Sequence, residues 1–156
     1  LKKKSAPVTV ITDSVQELIK DLTETMYDAP GVGLAAPQIG IHQRVIVIDI
    51  SGKEEPPDLI AVINPVIVYA EGEAYEEEGC LSVPKYAANV RRHARVIVKG
   101  LDPDGTERTW KADELLAIAF QHEIDHLDGI LFVDHLSVLK RELFQRKARK
   151  AAEDSR

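Results

Sequence analysis

The chain has 156 residues, a net charge of −6, and 44% hydrophobic and 29% charged residues. This length suits one domain with a single sizeable core, and the composition is that of an ordinary globular protein. The acidic balance argues against general binding to DNA, and no apolar run approaches the roughly 20 residues that cross a membrane.

The beginning of the chain is basic, with three lysines at positions 2–4. No continuous apolar segment follows them, so we expect no signal peptide. The chain does not begin with Met, and we expect that an N-terminal segment has been trimmed.

Residues 14–27 are predicted to form an N-terminal helix. Asp13 followed by Gln16 resembles a capping box, and Pro30-Gly31 should end the helix. Apolar side chains recur there at helical spacing: Val15, Leu18, Ile19, Leu22 and Met26.

The middle of the chain is predicted to be rich in strands. The β-branched residues of 44–50 form one strand, and residues 59–70 form two segments broken at Asn64-Pro65. Residues 95–101 and 107–110 flank the turn sequence Asp102-Pro103-Asp104-Gly105, which predicts a hairpin.

Two further helices are predicted after the hairpin. Asp113 can cap the first and Gly129 can end it, and a charged helix over 136–156 closes the chain. The predicted class is α+β, with antiparallel β-strands packed around a central helix and with N-terminal and C-terminal helices, all in one domain over 1–156.

The central helix carries the strongest chemical signal, His122-Glu123-Ile124-Asp125-His126. Side chains four residues apart lie one above the other on a helix, so both imidazoles can bind one ion. Glu123 lies about 100° around the axis and is better placed to contact a water on that ion. Two surface histidines on an amphipathic helix are the simpler alternative, but the apolar surroundings favour a metal site.

The single cysteine, Cys80, supplies a third ligand. It excludes an intramolecular disulfide, which is typical of a reducing compartment. A free cysteine is more often a small buried apolar residue. One thiolate with two imidazoles, however, leaves a tetrahedral ion one open position, which is the arrangement of catalytic sites.

Three blocks in order resemble the bacterial-type peptide deformylase family. They are Gly31-Val32-Gly33-Leu34-Ala35-Ala36-Pro37-Gln38, Glu78-Gly79-Cys80-Leu81-Ser82 and Gln121-His122-Glu123-Ile124-Asp125-His126. The resemblance implies a metal-dependent hydrolase of protein biosynthesis that removes the formyl group from N-formylmethionyl peptides and releases formate. It also implies one Fe²⁺ ion, for which Zn²⁺, Ni²⁺ or Co²⁺ can substitute, held by Cys80, His122 and His126.

The resemblance also implies the roles of the remaining site residues. Glu123 accepts a proton from the metal-activated water and passes it to the leaving amine. The Gln38 amide and the Leu81 backbone N–H stabilise the negative oxygen of the transition state. The expected substrate-binding residues are Val32, Gly33, Gly79, Leu115 and Ala119.

Arg92 and Asp125 remain open. Arg92 is either the partner of an acidic side chain near the site or an exposed arginine at a strand end. Asp125 either orients a metal ligand or faces water.

The segment 140–150 carries a local charge of +5. It either contacts the ribosome or forms the basic face of a solvated helix. We expect a bacterial cytoplasmic protein, with an organellar stroma or matrix as the alternative.

Two rival functions remain. A metallopeptidase with the same helix would take a third ligand downstream, where Asp134 and His135 are the candidates. A ribosome-associated binding protein that has kept the fold without the activity would not need Gln38, Glu123 and all three ligands.

Overall fold

The structure is a computed structural model that describes residues 3–29, 31–52, 55–80 and 83–130, with the side chains of 75–80 and 83–91 outside the described part. The predicted C-terminal helix over 136–156 and its basic segment also lie outside it. The elements are α1 (Asp13–Asp28), β1 (Gly33–Ala35), a 3-10 helix (Ala36–Ile39), β2 (Val45–Ile48), β3 (Ile60–Glu71), β4 (Ala74–Cys80), β5 (Val83–Arg92), β6 (Arg95–Leu101), β7 (Glu107–Asp113) and α2 (Glu114–Leu127).

The strands form two antiparallel sheets. Five of them lie side by side in the order β1-β2-β3-β6-β7, and β4 pairs with β5 in a separate hairpin. This arrangement confirms the predicted α+β class with antiparallel strands. Neither described helix is long and apolar enough to span a bilayer.

The two helices pack on opposite faces of the five-stranded sheet. Strand β2 shows why, because its four consecutive apolar side chains are all fully buried and point alternately to the two faces. Val45 and Val47 belong to the apolar cluster with α1, whereas Ile46 and Ile48 belong to the cluster with α2.

Helix α1 confirms the predicted apolar stripe, since Val15, Leu18, Ile19, Leu22 and Met26 are all buried. The predicted capping box is wrong. Thr12 occupies the N-cap position and Asp13 is already helical, with no side-chain cap. The Gln16 amide N–H is turned away and donates to the carbonyl oxygen of Pro103 at 2.7 Å.

Strand β3 is continuous where a break was predicted at Asn64-Pro65. The chain continues because Asn64 takes a left-handed φ of 54°, which shifts the register with β6 between Ile63 and Val66. The Asn64 side chain exchanges two 2.8 Å hydrogen bonds with the backbone of Val8, and so fixes the N-terminal segment beside the strand.

The hairpin of β6 and β7 confirms the turn prediction. The Asp102 carboxylate accepts hydrogen bonds from the backbone of Asp104 (2.9 Å) and Thr106 (3.0 Å) and from the side chain of Arg108 (2.5 Å). Strands β4 and β5 were not predicted, because Glu76-Glu77-Glu78 and the mixed residues after Pro84 give no clear alternation.

Helix α2 begins and ends where expected, although the Asp113 side chain makes no cap hydrogen bond. At its C-terminus, Gly129 has a φ of 74° and the Ile130 N–H donates to the Asp125 carbonyl at 2.8 Å, a Schellman ending. From the other end of the chain, the Ser5 N–H donates to the Leu127 carbonyl at 2.7 Å. The N-terminal segment is thereby joined to the last turn of α2.

Candidate metal centre

Helix α2 brings the two histidines of the motif together. The Nε2 atoms of His122 and His126 are 3.1 Å apart. Two nitrogen ligands of a tetrahedral ion, each about 2.05 Å from it, are separated by about 3.3 Å, so this spacing fits a shared cation. His126 is fully buried, and His122 is half-buried.

The environment of His126 favours the neutral imidazole that binds metals. Burial first, and then the neighbouring His122, lower the pKa of His126 to about 3. A neutral ring keeps a lone pair available on nitrogen for a metal ion, because no proton competes for it.

Glu123 lies inside the protein beside the histidine pair. Its side chain is 4% exposed, and one carboxylate oxygen lies within 4.8 Å of ligand nitrogens of both His122 and His126. A carboxylate at this depth next to two imidazoles can exchange a proton with a water between them.

Gly33 on strand β1 is the reason that Glu123 fits. A Cβ atom at Gly33 would lie 2.6 Å from the Glu123 Oε2 atom and 3.0 Å from its Cδ and Cγ atoms. A larger residue at position 33 would therefore displace the carboxylate. This role of Gly33 was missed from the sequence, which predicted only substrate binding there.

The 3-10 helix after β1 positions Gln38. The backbone N–H of Ala35 donates to the Gln38 Oε1 atom at 2.9 Å. Because only an acceptor can receive that N–H, this bond fixes the amide orientation and leaves the NH₂ group as the end that can donate elsewhere.

The cysteine block is described only by its backbone. Cys80 is the last residue of β4 and pairs with Val83, and Gly79 pairs with Ala87. The Cys80 side chain and all of Leu81 lie outside the described residues, so both assignments stay predictions.

The residues predicted for the methionine pocket lie on helix α2 and in the loop before β1. Val32 and Leu115 are 46% and 49% exposed, whereas Ala119 is buried in the cluster between α2 and the sheet. Their role in substrate binding stays a prediction.

Arg92 and Asp125, whose roles the sequence left open, form an ion pair. The Arg92 Nη1 atom lies 2.5 Å from the Asp125 Oδ2 atom, and the Arg92 side chain is only 4% exposed. Gln121, which the sequence placed in the third block without assigning it a role, is also buried and binds the backbone of His93. Its place among apolar residues on the sheet side of α2 was the available signal.

A second buried carboxylate, Asp49, follows β2. Its N–H donates to the Val32 carbonyl at 2.8 Å, and its Oδ2 atom accepts the hydroxyl hydrogen of Tyr27 at 2.5 Å. Burial alone would raise the pKa of Asp49, but hydrogen bonds from Ser51 and Tyr27 outweigh it and hold the pKa below its usual value. The same bond, with burial, raises the pKa of Tyr27 to about 12.

The chain is similar to known proteins over nearly its whole length. The family model described as polypeptide deformylase matches residues 1–142. The peptide deformylase of Thermodesulfovibrio yellowstonii is 54% identical over 94% of this chain and 89% of its own length. That of Syntrophobacter fumaroxidans is 49% identical over 99% of this chain and 91% of its own.

Solved structures of peptide deformylases are also similar to this chain. The crystal structure of a peptide deformylase from Legionella pneumophila matches with a TM-score of 0.91 and 48% identity, over 99% of this chain and 90% of that one. The Ehrlichia chaffeensis peptide deformylase in complex with actinonin matches with a TM-score of 0.88 and 39% identity, over 97% of this chain and 91% of that one.

Proposed function

Because the chain belongs to the polypeptide deformylase family, we propose that Cys80, His122 and His126 are the ligands of its metal ion and that Glu123 is its proton-transfer group. The protein is a metal-dependent hydrolase that removes the N-formyl group from nascent peptides. The observation that carries the site assignment is the 3.1 Å separation of the two imidazole nitrogens beside a buried glutamate.

The ion that we propose is Fe²⁺. When bound, such an ion lowers the pKa of a coordinated water and polarises the formyl oxygen. A ligand set of one thiolate and two imidazoles suits iron and zinc alike, so the donor chemistry supports the site and the family resemblance supports iron.

Glu123 is proposed to act first as a general base and then as a general acid. It accepts a proton from the attacking water and then gives it to the amine nitrogen that leaves when the C–N bond of the formamide breaks. Its position against Gly33 supports this role. A Cβ atom at position 33 would lie 2.6 Å from the Glu123 Oε2 atom, so the glycine leaves room for the carboxylate beside the histidines.

Gln38 and Leu81 are proposed to stabilise the charge that develops on the formyl oxygen. The Ala35 N–H holds the Gln38 carbonyl oxygen, which makes the NH₂ group the end of the amide that can donate to the formyl oxygen. The backbone N–H of Leu81 is the second donor. Loss of one such donor typically lowers turnover by about 10²–10³.

The substrate is proposed to bind as an added strand. Strand β1 is an edge of the five-stranded sheet, and Gly33 lies both on that edge and against Glu123. A formylated peptide that pairs with this edge is held by main-chain hydrogen bonds. Val32, Leu115 and Ala119 are the proposed neighbours of its methionine side chain, and Gly79 is a further proposed substrate-binding residue.

The cellular setting is also a proposal. The single cysteine suits a reducing compartment, and the matched relatives above are bacterial, so we place the protein in the bacterial cytoplasm. The basic segment 140–150 is proposed to contact ribosomal RNA. Co-sedimentation with ribosomes should then fall steeply as salt rises and vanish without residues 140–156; salt-independent binding that survives the deletion would contradict it.

The central test is formate release by protein purified without oxygen, with the metal content measured on the same sample. Formyl-Met-Ala-Ser should be cleaved and acetyl-Met-Ala-Ser should not. Cys80→Ser should lose the metal and the activity together, and iron should be the ion found in the wild type. Full metal content and turnover in Cys80→Ser would remove Cys80 from the site.

A matched pair of glutamine variants tests Gln38. Gln38→Met removes an amide next to the site, whereas Gln16→Met removes an exposed amide that bonds Pro103 on the far face. Turnover should fall by about 10²–10³ in the first and stay unchanged in the second. Equal turnover in both variants would exclude Gln38 from charge stabilisation.

A further inference from the structure

Two polar links join the end of the β4–β5 hairpin to helix α2. The first is made by Gln121, which is 5% exposed. Its carbonyl oxygen accepts the His93 N–H at 2.8 Å, and its NH₂ group donates to the carbonyls of His93 (2.8 Å) and Ala117 (2.9 Å). With three hydrogen bonds, the amide has one orientation and holds the backbone of residue 93 in register with the helix.

The second link is the ion pair of Arg92 with Asp125. Both side chains are largely removed from water, with exposures of 4% and 19%. A buried pair of this kind adds little net stability over apolar packing, but it fixes the relative position of the two elements that carry it. The main effect of this pair is therefore to hold the end of β5 in place against α2.

The packing beside these links is open. A cavity of about 720 Å³ is lined by Arg92, His93, Gln121 and Asp125, among others. Both polar links therefore lie at the wall of this cavity.

The helix places these links next to the metal ligands. Gln121 and Asp125 are four residues apart and form one stripe on α2, and His122 and His126 form the adjacent stripe on the same two turns, about 100° around the axis. The hairpin is paired along both strands, from Ala74 with Arg92 to Cys80 with Val83. Gln121 and Asp125 hold the end of strand β5, and the pairing of β5 with β4 relates that end to the position of the Cys80 backbone.

We propose that Arg92 and Gln121 are positioning residues of the metal centre. They fasten the hairpin that carries Cys80 to the helix that carries His122 and His126, so that the three ligands meet in one geometry. The inference rests on the proposed role of Cys80 as a ligand. Outer groups that orient metal ligands typically change metal affinity by about tenfold to a hundredfold when they are removed.

The test uses protein loaded with Co²⁺, whose charge-transfer band reports a bound thiolate. Arg92→Met and Gln121→Met should weaken Co²⁺ binding by about tenfold to a hundredfold and reduce the intensity of the band. Arg95→Met is the matched control, because the Arg95–Glu71 pair has the same 2.5 Å length but joins β6 to β3 at the surface. Its affinity and spectrum should equal those of the wild type.

A purely structural role would have a different result. The melting temperature of the metal-free variants would fall, but the Co²⁺ affinity and spectrum of the folded protein would not change, and this outcome would overturn the inference. Gln121→Met introduces no unpaired charge and carries the test if Arg92→Met does not fold. A wild type without a thiolate band would instead refute the assignment of Cys80, and the inference would fall with it.

Discussion

The two faces of the five-stranded sheet differ in the polarity of the side chains that are buried against them. On one face, α1 buries five apolar side chains and no polar one among its described residues. On the other, α2 buries a comparable apolar set together with Gln121, Glu123 and His126. Burying polar groups costs roughly 2–7 kcal/mol each unless they are paired, so each polar group on the α2 face requires a partner, as Gln121 has in the His93 backbone, whereas the buried residues of α1 require none.

Because of this difference, the residues of α2 that are proposed for catalysis lie on one face of the sheet and a purely apolar part of the core lies on the other. The α1 face packs the sheet in an apolar cluster, whereas the α2 face combines an apolar cluster with the buried polar groups Gln121, Glu123 and His126. Changes on α1 should therefore act on stability, and changes on the polar residues of α2 should act on turnover.

The largest expected effect is that of Glu123→Gln on the α2 face. Turnover should fall by about 10²–10⁴ because the amide cannot accept the proton, while metal content is preserved. Formate release and metal analysis measure the two quantities. Glu114→Gln, an exposed change at the start of the same helix, is the control. A fully active Glu123→Gln would remove the residue from the mechanism.

On the α1 face, Leu22→Ala should lower the free energy of unfolding by about 2–5 kcal/mol, because a fully buried side chain leaves a cavity. Turnover per folded molecule should not change. Denaturant titration with Val10→Ala, whose side chain is 66% exposed, as the control checks the first point. A specific loss of turnover in Leu22→Ala would show that the faces are not separable.

Gly33→Ala tests the contact between β1 and the α2 face. The added Cβ atom meets the Glu123 carboxylate at 2.6 Å, and a displacement of about 1 Å in a catalytic group can lower turnover by about 10². Gly52→Ala is the control, since a Cβ atom there has no neighbour nearer than 3.7 Å. Unchanged turnover in Gly33→Ala would mean that Glu123 can move without consequence.

The smallest effect is expected for Tyr27→Phe, at the end of α1. The hydrogen bond to Asp49 raises the pKa of Tyr27 from 10.0 to about 12, so folding favours the protonated phenol. The stability that this bond contributes is complete below pH 10 and is lost as the pH rises through 12. Wild type and variant should therefore differ in unfolding free energy at pH 8, and the difference should shrink steadily between pH 10 and pH 12. A constant difference across this range would contradict the assigned bond.

Much of this architecture could be predicted because periodic apolar patterns report local structure directly. The stripe of α1, the β6–β7 hairpin and the paired histidines of α2 each follow from spacing within a short segment. The capping box failed because the Gln16 side chain binds Pro103, which lies 87 residues away in the sequence.

The parts that could not be predicted depend on contacts between distant segments. The sequence left an acidic partner near the site as one alternative for Arg92 but could not identify Asp125, 33 residues away, and it did not connect Gly33 with the carboxylate of Glu123. Arg92 lies outside the three recognised blocks, and Gly33 lies in a different block from Glu123, so both contacts become visible only when the fold brings the partners together. Strand β4 was missed because three consecutive glutamates obscure the alternation of a strand.

The hydrogen bond between Ser5 and Leu127 has a consequence for the order of events during synthesis. The two residues are separated by 122 positions, and Val8 likewise depends on Asn64. The residues around Ser5 must therefore wait for this partner until residue 127 has been translated. Attachments made by contacts so distant in sequence are slow to form, so the N-terminal segment should be among the last parts of the protein to acquire protection from amide hydrogen exchange.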